Sequence, residues 1–224
     1  MNAAIVIPAL NEEATIAAVV AGAAGYGQPI VVDDGSTDAT AAAAAAAGAL
    51  VVRHERNGGY DSALASGFAR AEDLGFDALV TMDADAQHDP TALAALLAPL
   101  LAGEADVVVG VRPRCARWAE RVFTGYARRR YGIPDVLCGM KAYSMDMYRR
   151  FPGALDGSIG TGLALAAARA GARLAFVPVP VRIRPSGRTQ FGSGLRPNLR
   201  LLRAMVGQMR RRRVSAPTFA RDDG

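Results

Sequence analysis

Ala78-Leu79-Val80-Thr81-Met82-Asp83-Ala84-Asp85-Ala86-Gln87 is a short apolar run that stops abruptly at two carboxylates and an amide. A continuous apolar run of this length, with no polar alternation, is the pattern of a strand covered on both faces. Similar runs precede it. Ala3-Ala4-Ile5-Val6-Ile7 reads as a strand stopped by Pro8, Ile30-Val31-Val32 as a second ending in Asp33-Asp34-Gly35-Ser36-Thr37-Asp38, and Leu50-Val51-Val52 as a third. A fifth is expected over Asp106–Gly110. Alanine-rich helical segments lie between them: one capped by Asn11 and running to Gly25 and Gly27, one from Ala39, one over Ser62–Leu74 and one over Pro90–Leu101. Strands alternating with helices indicate an α/β fold with a mostly parallel sheet flanked by helices. Ligands of such sheets bind beyond the carboxyl ends of the strands. Three of these ends carry polar groups: Pro8 to Glu12, Asp33-Asp34 and Asp83-Ala84-Asp85.

The 224 residues suit one domain, placed at 1–213, with 214–224 as a disordered tail. Later strand or loop pieces are expected at Asp135–Tyr143 and Phe176–Ile183, the latter at a sheet edge because of Pro178 and Pro180. The 26 basic residues exceed the 21 acidic ones, giving a net charge of +5 and a pI near 9.7. That balance suits anionic partners such as a nucleotide, a lipid phosphate or a membrane surface. Cys115 and Cys138 form no disulfide framework, and neither His54 nor His88 has partners at zinc-ligand spacing. His88 is expected to order the acidic loop. Trp118 and the other aromatic residues do not interleave with the arginines, so nucleic acid is not expected as a partner. With no leader and no long apolar span, the chain reads as cytoplasmic. Residues 195–213 form a basic amphipathic helix through Leu195, Leu199, Leu202, Val206 and Met209. It suits either the inner face of an anionic membrane or docking on the domain, and the sequence leaves both open.

Asp83 and Asp85 lie two residues apart at a strand end. Their carboxylates repel unless a cation lies between them, and hard oxygen ligands suit Mg2+ or Mn2+. Gln87 adds an amide oxygen. A divalent ion held there would bind a diphosphate and stabilise it as a leaving group. An isolated Asp-x-Asp has an ordinary alternative as a capped turn before a helix, so its companions matter.

The companions occur in a fixed order. They are Val6-Ile7-Pro8-Ala9-Leu10-Asn11-Glu12, Val31 to Asp38, Asn57-Gly58-Gly59 with Gly67-Phe68, and Met82 to His88. Val108 to Arg112, Asp135 to Lys141, Val177-Pro178-Val179 and Arg184 to Thr189 follow. From about residue 4 to about residue 205 the chain is similar to family 2 glycosyltransferases of the GT-A fold. It resembles in particular the dolichol- or polyprenyl-phosphate mannosyltransferase branch. That resemblance implies a nucleotide-sugar donor, with Pro8, Leu10, Glu12, Val32 and Asp34 lining the base and ribose pocket. It implies that Asp83, Ala84, Asp85 and Gln87 form the metal and diphosphate site, and that Arg112, Arg184 and Arg188 meet phosphates. Among these, Asp85, Arg112 and Arg184 take the catalytic roles. A structural or substrate-lining role fits Lys141, the single lysine. The chain departs from the pattern at Leu10, where the family often has tyrosine, at Thr189-Gln190 in place of Ser-Lys, and around Ile159-Gly160-Thr161-Gly162.

An alcohol acceptor normally needs a general base. After the metal motif only the isolated Asp135, Asp146 and Asp156 are on offer. A lipid phosphate is already an anion and needs cationic positioning instead, which the three arginines would supply. The expectation is therefore an inverting, single-displacement transfer to a polyprenyl or dolichyl phosphate. The alternatives are transfer to a hydroxyl of a soluble acceptor, or a nucleotide-sugar-binding module without catalysis. The resemblance implies GDP-mannose or a UDP-hexose as the donor.

Overall fold

The computed structural model describes residues 2–113, 118–151 and 159–181. Its centre is a seven-stranded sheet of β1 (Ala3–Ala9), β2 (Gln28–Asp33), β3 (Leu50–Arg53), β4 (Ala78–Thr81), β5 (Val107–Val111), β6 (Lys141–Ser144) and β7 (Leu174–Pro178). The spatial order is β3-β2-β1-β4-β6-β5-β7. Six strands run the same way; β6 is reversed and pairs antiparallel with both β4 and β5. The chain builds outward from β1 to β3, then returns to place β4 on the other side of β1. That reversal opens a crevice at the carboxyl ends of the strands. Because β6 is reversed, its entry loop arrives at the same end of the sheet.

Seven helices cover the described sheet: α1 (Ile16–Ala23), α2 (Thr40–Ala46), α3 (Tyr60–Asp73), α4 (Ala92–Leu101), α5 (Trp118–Tyr131), α6 (Met145–Arg149) and α7 (Ile159–Arg169). Alternation along the strands divides the core. Ile5 and Ile7 of β1 pack with Ile16, Val20, Leu93 and Leu96 on the face covered by α1, α2 and α4. Ala4 and Val6 point the other way, to Leu64 and Phe68 of α3, Phe123 of α5 and Leu163 of α7.

Several expectations are corrected. Pro8 does not end β1; it pairs with Val32 inside the strand, and Ala9 still reaches Asp33. Asn11 does not cap α1. Its φ of 54° is left-handed, a conformation that Asn tolerates better than most residues, and the helix starts after Thr15. α4 starts at Ala92 rather than at Pro90 and continues through Pro99. Proline-bearing β7 does lie at the sheet edge. The helix expected at 195–213 and the tail at 214–224 lie outside the described residues. Among the described residues no helix is long and apolar enough to cross a membrane.

α3 approaches β1 and β2 closely because Gly67 has no side chain. A Cβ there would lie 2.3 Å from Val6 Cγ1 and 3.1 Å from Val32 Cγ2. Both valines are fully buried, which leaves them little room to yield. Overpacking costs about 1–3 kcal/mol, against roughly 1 kcal/mol gained from alanine's helix preference. Gly67→Ala is therefore expected to lower the thermal unfolding midpoint, and a midpoint at or above wild type would contradict this packing.

Tyr143 of β6 makes the opposite case. Its ring meets Phe68 edge-on at 6.0 Å, but its hydroxyl is buried with no hydrogen-bond partner among the described residues. Burial pushes that hydroxyl's pKa far up. An unsatisfied buried hydroxyl costs about 1–3 kcal/mol. Tyr143→Phe is expected to raise stability by about 1 kcal/mol, measurable by chemical denaturation; a loss of stability would mean the hydroxyl has a partner.

Candidate active site

The first two strand-to-helix loops are hydrogen-bonded to each other. The Asn11 N–H donates to Ser36 Oγ (2.9 Å), and Asn11 Oδ1 accepts from the Thr37 N–H (2.9 Å). The Glu12 N–H donates to Thr40 Oγ1 (2.8 Å), and Glu13 accepts from the Ala39 N–H (3.0 Å). The left-handed turn at Asn11 thus aims both its amide N–H and its side chain at the second loop. Glu12 is buried and accepts from Thr15 Oγ1 at 3.0 Å.

A small cleft lies between these loops and the start of α3, lined by Pro8, Leu10, Asp34, Asn57, Gly59 and Tyr60 among others. Three of the five residues expected at the base and ribose pocket, Pro8, Leu10 and Asp34, line it. Val32 is fully buried in the core below, and Glu12 stands behind the lining. The Asp34 carboxylate is held from several sides. Oδ1 accepts from His54 Nδ1 (2.7 Å) and the Gly58 N–H (2.9 Å), and Oδ2 from the Gly59 N–H (2.8 Å). Gly59 adopts φ 90°, which an L side chain strains to reach, so glycine is required to turn that N–H onto the carboxylate.

The acidic cluster follows β4. Asp83 Oδ1 accepts from the Tyr60 hydroxyl (3.1 Å) and Oδ2 from His88 Nε2 (3.1 Å). Burial alone would raise the Asp83 pKa, but the bonds from His88 and Tyr60 and the charge of Lys141 hold it below the ordinary value. Asp83 is therefore a carboxylate at neutral pH. Asp85 Oδ1 accepts from the Gln87 N–H (3.0 Å), across a left-handed Ala86 with φ 58°. Asp83, Asp85 and Gln87 all lie in the short loop that follows β4. His88 orders the loop, as expected, by clamping Asp83.

Beneath Asp83 lies the entry to β6. Gly139 presses on it so closely that a Cβ would lie 2.1 Å from Asp83 Oδ2. Lys141 is buried, its ammonium donating to the Cys138 carbonyl. Desolvation lowers its pKa, opposed by Cys138, Asp135 and Asp83. Lys141 thus supplies positive charge from below the cluster. Arg112 follows β5, and its guanidinium is engaged by protein: Nε donates to Asp135 Oδ2 (2.8 Å) and Nη2 to Asp135 Oδ1 (2.9 Å), with Glu120 at 3.7 Å. Burial alone would lower the Arg112 pKa, but Asp135 raises it, fixing the charge. The same pair occupies Asp135, one of the isolated carboxylates considered as a base. Arg184, Arg188 and Asp156 lie outside the described residues.

Asp61, in the first turn of α3, carried no expectation from the sequence. Its Oδ1 accepts the Gly160 N–H (2.9 Å) at the start of α7, across ninety-nine positions of chain. Desolvation raises its pKa, opposed by the bonds from α7 and by Lys141. Gly160 falls in the segment that departs from the family pattern. A Cβ there would meet the Tyr60 ring at 3.1 Å and Leu64 at 3.2 Å, so the departure lets α7 sit tightly on α3.

The mostly parallel sheet, with helices on both faces and a crevice at its strand ends, is the architecture of GT-A glycosyltransferases. Residues 4–151 match the Glycosyl transferase family 2 profile, and the chain belongs to that family. It is 33% identical over 127 residues to a UDP-N-acetylglucosamine–dolichyl-phosphate N-acetylglucosaminyltransferase of Methanococcus voltae, spanning 48% of this chain and 51% of that protein. It is 28% identical over 187 residues to an undecaprenyl-phosphate mannosyltransferase of Micrococcus luteus, spanning 74% and 76%. Its fold superposes on glucosyl-3-phosphoglycerate synthase from Mycobacterium tuberculosis, in a complex with Mg2+ and uridine-diphosphate. The TM-score is 0.70 and the identity 28%, covering 92% of this chain and 79% of that one.

Proposed function

We propose that the chain transfers a sugar from a nucleoside-diphosphate sugar to a polyprenyl or dolichyl phosphate, with inversion, in the presence of a divalent ion. The observation that carries this reading is the acid cluster at the end of β4, beside a cleft that holds the Asp34 carboxylate. Two relatives whose names specify a lipid-phosphate acceptor support the acceptor class.

Asp83, Asp85 and Gln87 fit Mg2+ or Mn2+: their donors are hard oxygens, and the lowered pKa keeps Asp83 charged. No group of three or more His, Cys, Asp or Glu residues forms a ready cage among the described residues. Bound to Asp83, Asp85 and Gln87, the ion would neutralise charge building on the departing diphosphate. Asp34 and the loop at Asn57-Gly58-Gly59 would position the nucleoside. The clamp of Tyr60 and His88 would keep Asp83 from reorienting as charge moves. Arg184 and Arg188 remain the proposed contacts to the acceptor phosphate. Arg112, being forked onto Asp135, would serve by fixing the loop after β5.

A second reading has its own observation. Asp61 is a carboxylate in the first turn of α3, next in sequence to the cleft-lining Tyr60, and as a general base it would suit a hydroxyl acceptor. The two readings separate on Asp61→Asn. Transfer to lipid phosphate is expected to survive that change within about threefold, whereas base-catalysed transfer loses about 10²–10⁴-fold. A loss in that range would overturn the lipid-phosphate reading.

A further inference from the structure

His54 enters neither the metal site nor the family motifs, yet it sits in a hydrogen-bond chain beside the cleft. Its Nδ1 lies 2.7 Å from Asp34 Oδ1 and its Nε2 lies 2.8 Å from Ser66 Oγ. A carboxylate only accepts, so Nδ1 carries the hydrogen in the neutral ring, and Nε2 accepts from the Ser66 hydroxyl. His54 thus connects β3, β2 and α3 through side chains alone. Asp34 is almost wholly buried.

The order Asp–His–Ser resembles that of hydrolytic triads, but Ser66 lies in the middle of α3. The backbone N–H groups around it are committed to helix bonds, so no pair of them is free to hold an oxyanion. The chain therefore acts on the carboxylate end. A carboxylate oxygen has about two acceptor directions. Oδ1 is filled by His54 and Gly58, while among the described residues Oδ2 takes only Gly59. One acceptor direction remains on Oδ2, in a residue that lines the cleft.

We propose that His54, braced by Ser66, is a positioning residue for the donor nucleoside. It fixes the Asp34 carboxylate so that the remaining acceptor direction of Oδ2 takes one hydrogen from the base or ribose. This rests on the nucleotide-sugar reading above. His54 acts through Asp34, and its removal loosens recognition of the nucleoside rather than the chemistry at the sugar.

The test is titration calorimetry of UDP and GDP with Mg2+ or Mn2+, on wild type, His54→Ala, His54→Asn and Ser66→Ala, with donor KM and kcat for each. His54→Ala is expected to weaken nucleotide binding about tenfold, on the order of one charge-assisted hydrogen bond. Its donor KM rises by the same factor, with kcat within about twofold. His54→Asn recovers most of the affinity, because its amide N–H stands where Nδ1–H stood; Ser66→Ala falls between. A folded His54→Ala with wild-type affinity would overturn the proposal. So would a loss that His54→Asn fails to recover, or one that falls on kcat instead of KM. A wild-type chain that binds neither nucleotide with either ion refutes the nucleotide-sugar reading itself, a result distinct from failure of the His54 variants alone.

Discussion

Asp85→Asn is expected to cut sugar-nucleotide turnover by roughly 10²–10³-fold, the order lost when a single preorganised electrostatic group is removed from a transition state. Stability should hardly change. Asp85 accepts from the Gln87 N–H, and an asparagine oxygen can accept the same bond. What disappears is one negative charge of the pair that would hold a divalent ion. The loss should therefore be accompanied by weaker dependence of nucleotide affinity on Mg2+ or Mn2+. Steady-state kinetics with a melting curve decide the matter. A variant that keeps turnover within about twofold of wild type would remove Asp85 from the ion site, and a catalytically silent wild type would favour the binding-module alternative.

Gly139→Ala is expected to be almost as damaging, through geometry alone. The added Cβ would fall 2.1 Å from Asp83 Oδ2 and 2.7 Å from its Cγ, so the carboxylate must move. Moving it breaks the bonds from Tyr60 and His88, each worth about 1.5–3 kcal/mol where a charged group is involved. A displacement near 1 Å at a reacting site costs on the order of 10²-fold in rate. Turnover should fall by about that factor, and the unfolding midpoint should fall as well. Gly125→Ala in α5 is the matched control: a Cβ there meets nothing within 4 Å, and alanine's helix preference should make it neutral or slightly stabilising. Equal behaviour of the two variants would show that Gly139 does not support Asp83.

The parallel strands were legible because each is a continuous apolar run that ends in a polar turn. Their carboxyl ends, which bear Leu10, Asp34 and Asp83, followed from that reading. The reversal of β6 was not legible, although a strand or loop piece was expected over Asp135–Tyr143. Lys141-Ala142-Tyr143-Ser144 has no direction written in it, and its place between β4 and β5 is set by pairing with strands that precede it by 30 residues or more. Helices α5, α6 and α7 were also missed, their patterns blurred by arginines in one case and glycines in another. In the site, residue types were readable but their partners were not. Arg112 read as a phosphate contact because a guanidinium suits phosphate, yet Asp135, 23 positions away, occupies its fork. His54 was weighed only as a zinc ligand, since nothing local joins it to Asp34 or Ser66. Val32 read as a pocket residue from its motif, but strand alternation turns it into the core under Gly67.

These contacts refine the role of the acid cluster. Asp83 is braced from three sides, by Tyr60 of α3, His88 of its own loop and Gly139 at the entry to β6, with Lys141 supplying charge below. Such bracing suits a group that must not reorient when charge moves onto a leaving diphosphate. On the proposed reading, a phosphate acceptor would need only placement.

The most direct test is the rate of nucleoside-diphosphate release from a UDP- or GDP-sugar with Mg2+ or Mn2+, comparing a short-chain polyprenyl phosphate with the corresponding polyprenol. Strong stimulation by the phosphate and none by the alcohol is expected, with release abolished by chelation. Stimulation by the polyprenol or by a soluble hydroxyl acceptor, with none from the lipid phosphate, would contradict it.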